Sequence, residues 1–169
     1  MELLQNTDLD LKRFDHLTAT SKVWIYQADR ELTADETAEI RHLTADFVRQ
    51  WASHGTALYA GGDLLFNRFL VLMVDESMAG ASGCSIDSSV NFVRQLEQNF
   101  KIGFFDRLSF AWMSDSGVLS APKAVFKEWY QSGKISDNTL VFDNLVQTKA
   151  QLEASWLIPL SASWHKRFV

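Results

Sequence analysis

The chain has 169 residues, of which 47% are apolar and 22% charged, and its formal net charge is −5. This composition is that of a folded globular protein rather than a disordered one, and the length predicts a single domain. The acidic balance disfavours non-specific nucleic-acid binding, and a single cysteine excludes a disulfide within the chain. Six Trp and twelve Phe predict a core built on aromatic rings.

The N-terminus lacks the basic region and the apolar stretch of a signal peptide. The longest uninterrupted apolar run, residues 69–74, is far too short to cross a bilayer. We therefore expect a cytoplasmic protein of bacterial type that binds neither membrane nor nucleic acid. Residues 1–20 are polar and weakly patterned, and we expect them to form an arm.

The first predicted elements are a strand at Val23–Tyr26 and a helix that begins at Thr33. Thr33 precedes Glu36 by three residues, which is the spacing of a capping box. Apolar residues then recur on one helical face until Trp51, and Gly55 is a typical helix stop. This is the clearest helix signal in the chain.

Residues 57–66 and 69–75 predict two strands joined by a turn at Asn67-Arg68. Gly61-Gly62 would then mark a bulge, although a turn at Gly61-Gly62-Asp63 is an alternative. The run from Phe69 to Val74 is apolar at every position, which favours a central strand covered on both faces.

A glycine- and serine-rich loop, residues 80–85, leads to a second predicted helix that ends near Phe100. Residues 108–113 alternate in size and predict a fourth strand. The sequence then predicts two more helices, one from Ser120 or Pro122 to Gly133 and one from about Asp137 to Trp156, halted by Pro159.

The order β-α-β-β-α-β predicts an α+β protein with a ferredoxin-like βαββαβ antiparallel sheet and two additional C-terminal helices. Residues 21–117 would form this core, and residues 118–169 the C-terminal helices and tail. Right-handed crossovers would make the first and third strands parallel neighbours in the centre of the sheet. The loops that follow these two strands would then meet at one edge.

These two loops carry the predicted ligand-binding residues, and we expect a pocket at the N-terminus of the helix that follows Cys84. A thiolate at that position is stabilised by the helix dipole and by a nearby cation, so Cys84 is also the candidate catalytic nucleophile. A buried, inert cysteine is the alternative interpretation. The predicted site comprises Arg30, Asp75, Glu76, Cys84, Ser85 and Asp87.

The leading functional hypothesis is a module that binds a small molecule or anion, with Arg30 holding the anionic group. A thiol-dependent enzyme that uses Cys84 is the second hypothesis. An interaction or assembly module that uses the aromatic C-terminal tail is the third, and a homodimer stays open. The four histidines have no metal-ligand spacing, and the sequence has no nucleotide-binding loop, so we predict neither metal nor cofactor.

Four stretches together resemble an uncharacterised family of small bacterial proteins that are often labelled ABC-transporter ATPases. The stretches are Val23–Gln27, Asn67–Ser77, Ala79–Asp87 and Leu140–Val146. The label is inconsistent with this sequence, because the lysine-containing phosphate loop of such ATPases is missing. The resemblance implies only that the segment around Cys84 recurs in related chains.

Overall fold

The computed structural model describes residues 9–52, 59–76 and 83–169. At residues 52 and 83–85 it describes the backbone but not the side chains. The elements are β1 Lys22–Gln27, α1 Ala34–Ala52, β2 Tyr59–Leu65, β3 Phe69–Asp75, α2 Gly83–Phe100, β4 Ser109–Ser114, β5 Gly117–Pro122, α3 Lys123–Gln131, β6 Leu140–Phe142, α4 Lys149–Ser155 and β7 Leu157–Pro159. The first sheet has the strand order β1-β3-β2 and the second the order β5-β4-β6-β7, with every pair antiparallel. The protein is therefore of the α+β class. Within the described ranges, no helix is both long and apolar enough to cross a membrane.

Strand β3 lies at the centre of the first sheet, and all seven of its residues are buried. Alternate side chains point to opposite faces of a strand. Leu70, Leu72 and Val74 pack with residues of α1 and α2, whereas Phe69 and Met73 pack with residues of the second sheet. The prediction of a central strand covered on both faces is confirmed.

The second sheet is also covered on both sides, so the molecule has four layers. Ala111 on β4 faces the first sheet, and its neighbours Phe110 and Trp112 face the other way. There they pack with Phe126 of α3 and with the aromatic C-terminal segment Trp164–Phe168. The order of layers is helices, first sheet, second sheet, helices.

The capping box at the start of α1 is confirmed. The Thr33 backbone N–H donates to Glu36 Oε1 over 3.0 Å, and the Glu36 N–H donates to Thr33 Oγ1 over 3.1 Å. These two bonds satisfy amides that would otherwise lack partners at the helix start. The predicted stop at Gly55 lies outside the described residues.

The β2–β3 hairpin turns one residue earlier than predicted. Leu65 pairs with Phe69, so the loop comprises residues 66–68, and Phe66 (55°) and Asn67 (52°) have positive φ within it. Phe66 is unusual there, but its ring packs against Phe69 and Trp156. Gly61 and Gly62 pair in regular register with Met73 and Leu72, so the predicted bulge is wrong, as is the alternative turn at these glycines.

The predicted ferredoxin-like sheet is not formed, because the fourth strand belongs to a different sheet. Strand β4 pairs with β5 and β6, both of which come from the C-terminal third of the chain. Strands β1 and β3 are neighbours, as expected, but they are antiparallel rather than parallel. Apolar residues of β4 are packed on both of its faces, Phe110 and Trp112 on one and Ala111 on the other, which suits a central strand of its own sheet better than an edge position beside β1.

The C-terminal third contains three strands where only helices were predicted. Strand β6 and the shorter helix α4 replace the single helix expected from about Asp137 to Trp156. Asp143 interrupts it, since its carboxylate accepts the Leu145 N–H over 3.0 Å, and Thr148 caps α4 by accepting from Gln151 N. Such side chains compete with the helical backbone for hydrogen bonds.

The predicted N-terminal arm is partly packed. Residues 9–20 include a short 3-10 helix, Lys12–Phe14, and Phe14 and Leu17 are buried between the two sheets. The Lys149 ammonium group donates to the carbonyl oxygens of both Phe14 and Leu17, each over 2.9 Å. These bonds hold the described part of the arm against α4.

The contact between α1 and β2 depends on the absence of a side chain at Gly62. A Cβ atom there would lie 2.7 Å from Thr44 Cγ2 and 3.1 Å from Val48 Cγ2. We expect Gly62→Ala to lower the free energy of unfolding in urea by about 1–3 kcal/mol, the usual cost of overpacking. Adding Thr44→Ala should restore part of this loss.

The control is Thr44→Ala alone, which removes a buried hydroxyl that has no hydrogen-bond partner. It should change stability by less than the glycine substitution does, because an unsatisfied buried hydroxyl is itself unfavourable. Equal losses in Gly62→Ala and in the double variant would contradict this account of the α1–β2 contact.

Candidate functional site

Arg30, the cation of the predicted pocket, lies just after β1. Its guanidinium donates to both carboxylate oxygens of Glu36, over 2.9 and 2.7 Å, and to the carbonyl oxygen of Phe100 over 3.2 Å. Hydrogen bonds from Arg30 and from the Thr33 backbone lower the pKa of Glu36 to about 2. Arg30 therefore stabilises the start of α1 and contacts the C-terminal end of α2.

Asp75 and Glu76 lie at the other rim of the first sheet. Asp75 is buried at the end of β3 and is paired in register with Tyr59. Glu76 forms an ion pair of 3.1 Å with Lys22, the first residue of β1. Because β1 and β3 are antiparallel, the end of β3 lies beside the start of β1, whereas Arg30 follows its end.

Cys84 and Ser85 lie in the first turn of α2, and their side chains lie outside the described part of the chain, as do residues 80–82 of the predicted loop. Asp87 follows them and is exposed. Phe100 lies sixteen positions after Cys84, which corresponds to roughly 24 Å along the helix. Arg30 sits at the Phe100 end, so the structure does not bring Arg30 together with the other five residues. The reactivity of Cys84 stays a prediction.

The structure instead contains a cleft between the first strand and the second sheet, with a volume of about 620 Å³. It is bounded by β1, by residues 104–107 and 109–111, and by residues 142 and 144–148, and Trp164 and His165 reach its wall. Three walls thus come from parts of the chain that are far apart in sequence.

The cleft exists because one segment approaches β1 and then turns away. Lys22 and Thr148 form an antiparallel bridge, and Val23 N–H donates to the Gln147 carbonyl oxygen over 3.0 Å. The chain preceding Gln147 does not continue along the strand, because the turn closed by Asp143 directs it elsewhere. The remaining part of the β1 edge faces the cavity.

A chain of partly buried side-chain hydrogen bonds joins the walls of the cleft. Gln27 Nε2 donates to the Ser109 carbonyl oxygen over 3.4 Å, and Asn144 Nδ2 donates to Gln27 Oε1 over 2.9 Å. Trp156 Nε1 in turn donates to Asn144 Oδ1 over 2.9 Å. Asn144 therefore links β1 of the first sheet to the residue that ends α4.

Exposed apolar side chains are concentrated at the rim of the cleft. Ile86, Phe105 and Leu145 line it and are 40%, 37% and 60% exposed, and Leu108 is 73% exposed beside it in sequence. The ring of Phe105 also packs edge-on against Tyr26, with centroids 5.6 Å apart. Clustered exposed apolar groups are typical of binding surfaces.

The polar groups of the cleft include a cation, a phenol and a neutral imidazole. Arg107 is exposed and forms no ion pair with a described residue. Burial raises the pKa of Tyr26, against the opposing effects of Ser89 and Arg107. Burial lowers the pKa of His165 to about 4, so this side chain is neutral at pH 7. Its Nδ1 lies 2.5 Å from Ser163 Oγ, and its ring stacks on Trp164.

Sequence reasoning missed the residues of this cleft, although one signal was present. Phe104, Phe105 and Leu145 are apolar, yet they fall in loops of the structure. An apolar residue in a loop between elements is a reason to look for a binding surface. The interpretation of residues 137–156 as one helix placed Leu145 on a buried face and concealed that signal.

Comparison with known proteins adds no further constraint. No family model, no curated protein and no solved structure matches the chain. Among the described residues, no group of three or more His, Cys, Asp or Glu is placed to hold a metal ion. The cleft is thus the feature from which a function has to be inferred.

Asn144 offers a test of the hydrogen-bond chain beneath the cleft. Asn144→Ala leaves the Trp156 indole N–H and the Gln27 amide oxygen without their partners. We expect a loss of about 2–4 kcal/mol in the free energy of unfolding, since each unsatisfied buried group costs about 1–3 kcal/mol. Urea denaturation measures the loss.

The matched control is Asn138→Ala, because Asn138 is exposed and only its backbone N–H is bonded, to Ser136 Oγ. An exposed substitution of this kind changes stability by about 0.5 kcal/mol or less. If the two variants were equally stable, the hydrogen-bond chain would not hold the walls together.

His165 gives the protein a predictable dependence on pH. Its pKa is lower in the folded state, about 4, than the ordinary value of 6.5. Between these two values the unfolded chain binds more protons, so stability falls as the pH falls from 6.5 towards 4 and is constant above that window. Urea denaturation at pH 7.0, 6.0 and 5.0 should show this loss.

His165→Gln removes the titrating group and should flatten the dependence over this range. Glu36 does not interfere, because its low pKa of about 2 makes its contribution change only below the ordinary value of 4.5. A wild-type slope that persists unchanged in His165→Gln would show that another group titrates.

Proposed function

We propose that the protein is a small-molecule-binding module whose ligand occupies the cleft beside β1. The observation that carries this proposal is a cavity of about 620 Å³ whose lining combines aromatic and aliphatic side chains with polar and charged ones, among them Gln27, Asp106 and Arg107. This volume lies within the range of roughly 300–1,000 Å³ that is typical of small-ligand sites. The proposal keeps the chemical class expected from the sequence and assigns the ligand to the cleft beside β1.

The apolar rim supports a ligand with an apolar body. Side chains such as Phe105 and Leu145 remain partly in contact with water in the free protein. Covering them releases that water, at about 25 cal/mol for each Å² of apolar surface removed from water. A flat aromatic or branched aliphatic group suits the space between Tyr26 and Leu145.

The cation at the mouth supports a ligand with an anionic group. Arg107 lines the cleft and lies near enough to Tyr26 for its charge to oppose the rise that burial causes in the pKa of that phenol. A carboxylate matches the planar donor fork of a guanidinium, which binds it through two parallel hydrogen bonds. Arg107 has no carboxylate partner among the described residues, so an anionic ligand would bind it without displacing one.

The proposal is tested with phenylacetate and its neutral analogue phenylacetamide as probes. We expect both to shift the backbone amide resonances of residues that line the cleft, with millimolar affinity. Arg107→Gln should weaken phenylacetate about three- to tenfold, up to the factor that 1.4 kcal/mol represents, and leave phenylacetamide unchanged. Leu145→Asp should weaken both probes.

Leu108→Asp is the matched control, because Leu108 is more exposed than Leu145 but does not line the cavity. It should leave the affinity for both probes unchanged. The absence of resonance shifts at cleft residues in 10 mM of either probe, or equal effects of the two aspartate substitutions, would overturn the proposal.

A further inference from the structure

The outer edge of β1 is open along the part that faces the cleft. In an antiparallel pair, alternate residues direct both their N–H and C=O groups towards the partner strand. Val23 directs its N–H away from β3, to Gln147, and Ala28 donates to Arg68 on the β3 side. Because this direction alternates along the strand, Ile25 and Gln27 also direct their backbone N–H and C=O groups away from β3.

Neither of these two residues has a backbone partner on that side. No hydrogen bond joins the backbone N–H or C=O of Ile25 or Gln27 to any group of the described chain outside β3. Both residues line the cavity. The cleft thus presents a short row of strand donors and acceptors in addition to its apolar walls.

The chain itself already pairs with the same edge. At the start of β1, Lys149 N–H donates to the Ser21 carbonyl oxygen over 2.9 Å, and Val23 N–H donates to Gln147. At the far end, Asp29 N–H donates to the Gly103 carbonyl oxygen over 2.9 Å. The open stretch lies between these two closed ends.

We infer that the ligand of the cleft is a short peptide, or a molecule with a peptide-like backbone, that lies extended along β1 and continues the pairing begun by residues 147–149. This inference rests on the proposed function. One ligand residue would exchange two hydrogen bonds with Ile25, and the residue two positions away would do the same with Gln27. Such strand addition is an established mode of peptide recognition.

The closed ends limit the length of the ligand. Positions opposite Val23 and Asp29 are taken by Gln147 and Gly103. The six residue steps between them span roughly 20 Å, which leaves room for about three to five ligand residues. A strand of another protein that continued beyond the end of the cleft would collide with residues 147–149, so the ligand is a free peptide.

The probe for this inference is acetyl-Val-Phe-Val-amide, and the readout is hydrogen exchange of individual backbone amides. In the free protein the Ile25 amide should exchange faster than those of Trp24 and Tyr26, which are paired in the ladder with Leu72 and Leu70. Saturation with the peptide should slow exchange at Ile25 at least tenfold and leave Val23 unchanged.

Two modifications test the hydrogen bonds directly. Ile25→Pro deletes the outward N–H without removing a bond to β3, since proline is tolerated in edge strands where its nitrogen faces outwards. It should weaken the peptide at least tenfold, whereas Ile25→Val, which keeps the N–H, should bind the peptide normally. N-methylation of the peptide at successive residues should weaken binding at alternate positions only, whether or not the proline variant folds.

The outcomes separate the two proposals. If phenylacetate binds in the cleft but the peptide does not, strand addition is overturned and the proposed function stands. If the peptide binds without protecting Ile25, or if N-methylation has the same effect at every position, strand addition is again overturned. If neither probe binds in the cleft, both proposals are overturned.

Discussion

The burial of β3 on both faces is the constraint on which the rest of the structure depends. All seven residues of this strand are buried, and it bonds to β1 on one side and to β2 on the other. Its face bearing Leu72 requires the two long helices, and its face bearing Phe69 requires a second sheet. A single three-stranded sheet with helices on one side would leave that second face in water, at a large cost in apolar exposure.

The cleft follows from the way the second sheet is attached. Strand β1 is an edge strand of the first sheet, and among the described residues the segment that leads into α4 bonds to the start of its outer edge, while Gly103 bonds to Asp29 beyond its end. Asp143 turns this segment by accepting the Leu145 N–H, and Asn144 keeps it linked to β1 through the side-chain amide of Gln27. The separation of the two sheets at this point is thus maintained by buried hydrogen bonds rather than by loose packing, and this makes the cavity a defined feature.

Local patterns predicted the helix that Thr33 caps and the buried strand from Phe69, because backbone satisfaction and burial on two faces leave direct traces in a sequence. They did not reveal which strands pair. The alternation of residue size at Phe110 and Trp112 correctly predicted a strand, but the strands that pair with it come from segments for which helices were predicted. Helical spacing of apolar residues after Asp137 arose from a strand, a turn and a short helix in succession. The cleft was invisible for the same reason, since it forms only where distant segments meet.

The bonds from residues 147–149 to β1 have a consequence for synthesis. The N-terminus of a chain leaves the ribosome first, and well over a hundred residues separate Val23 from Gln147. A chain that has emerged only as far as β3 already forms much of the apolar sheet, yet the outer side of β1 is bare along its whole length. Bare strand edges recruit other chains. The outer edge of β1 therefore stays uncovered in the growing chain until residues 147–149 have been synthesised.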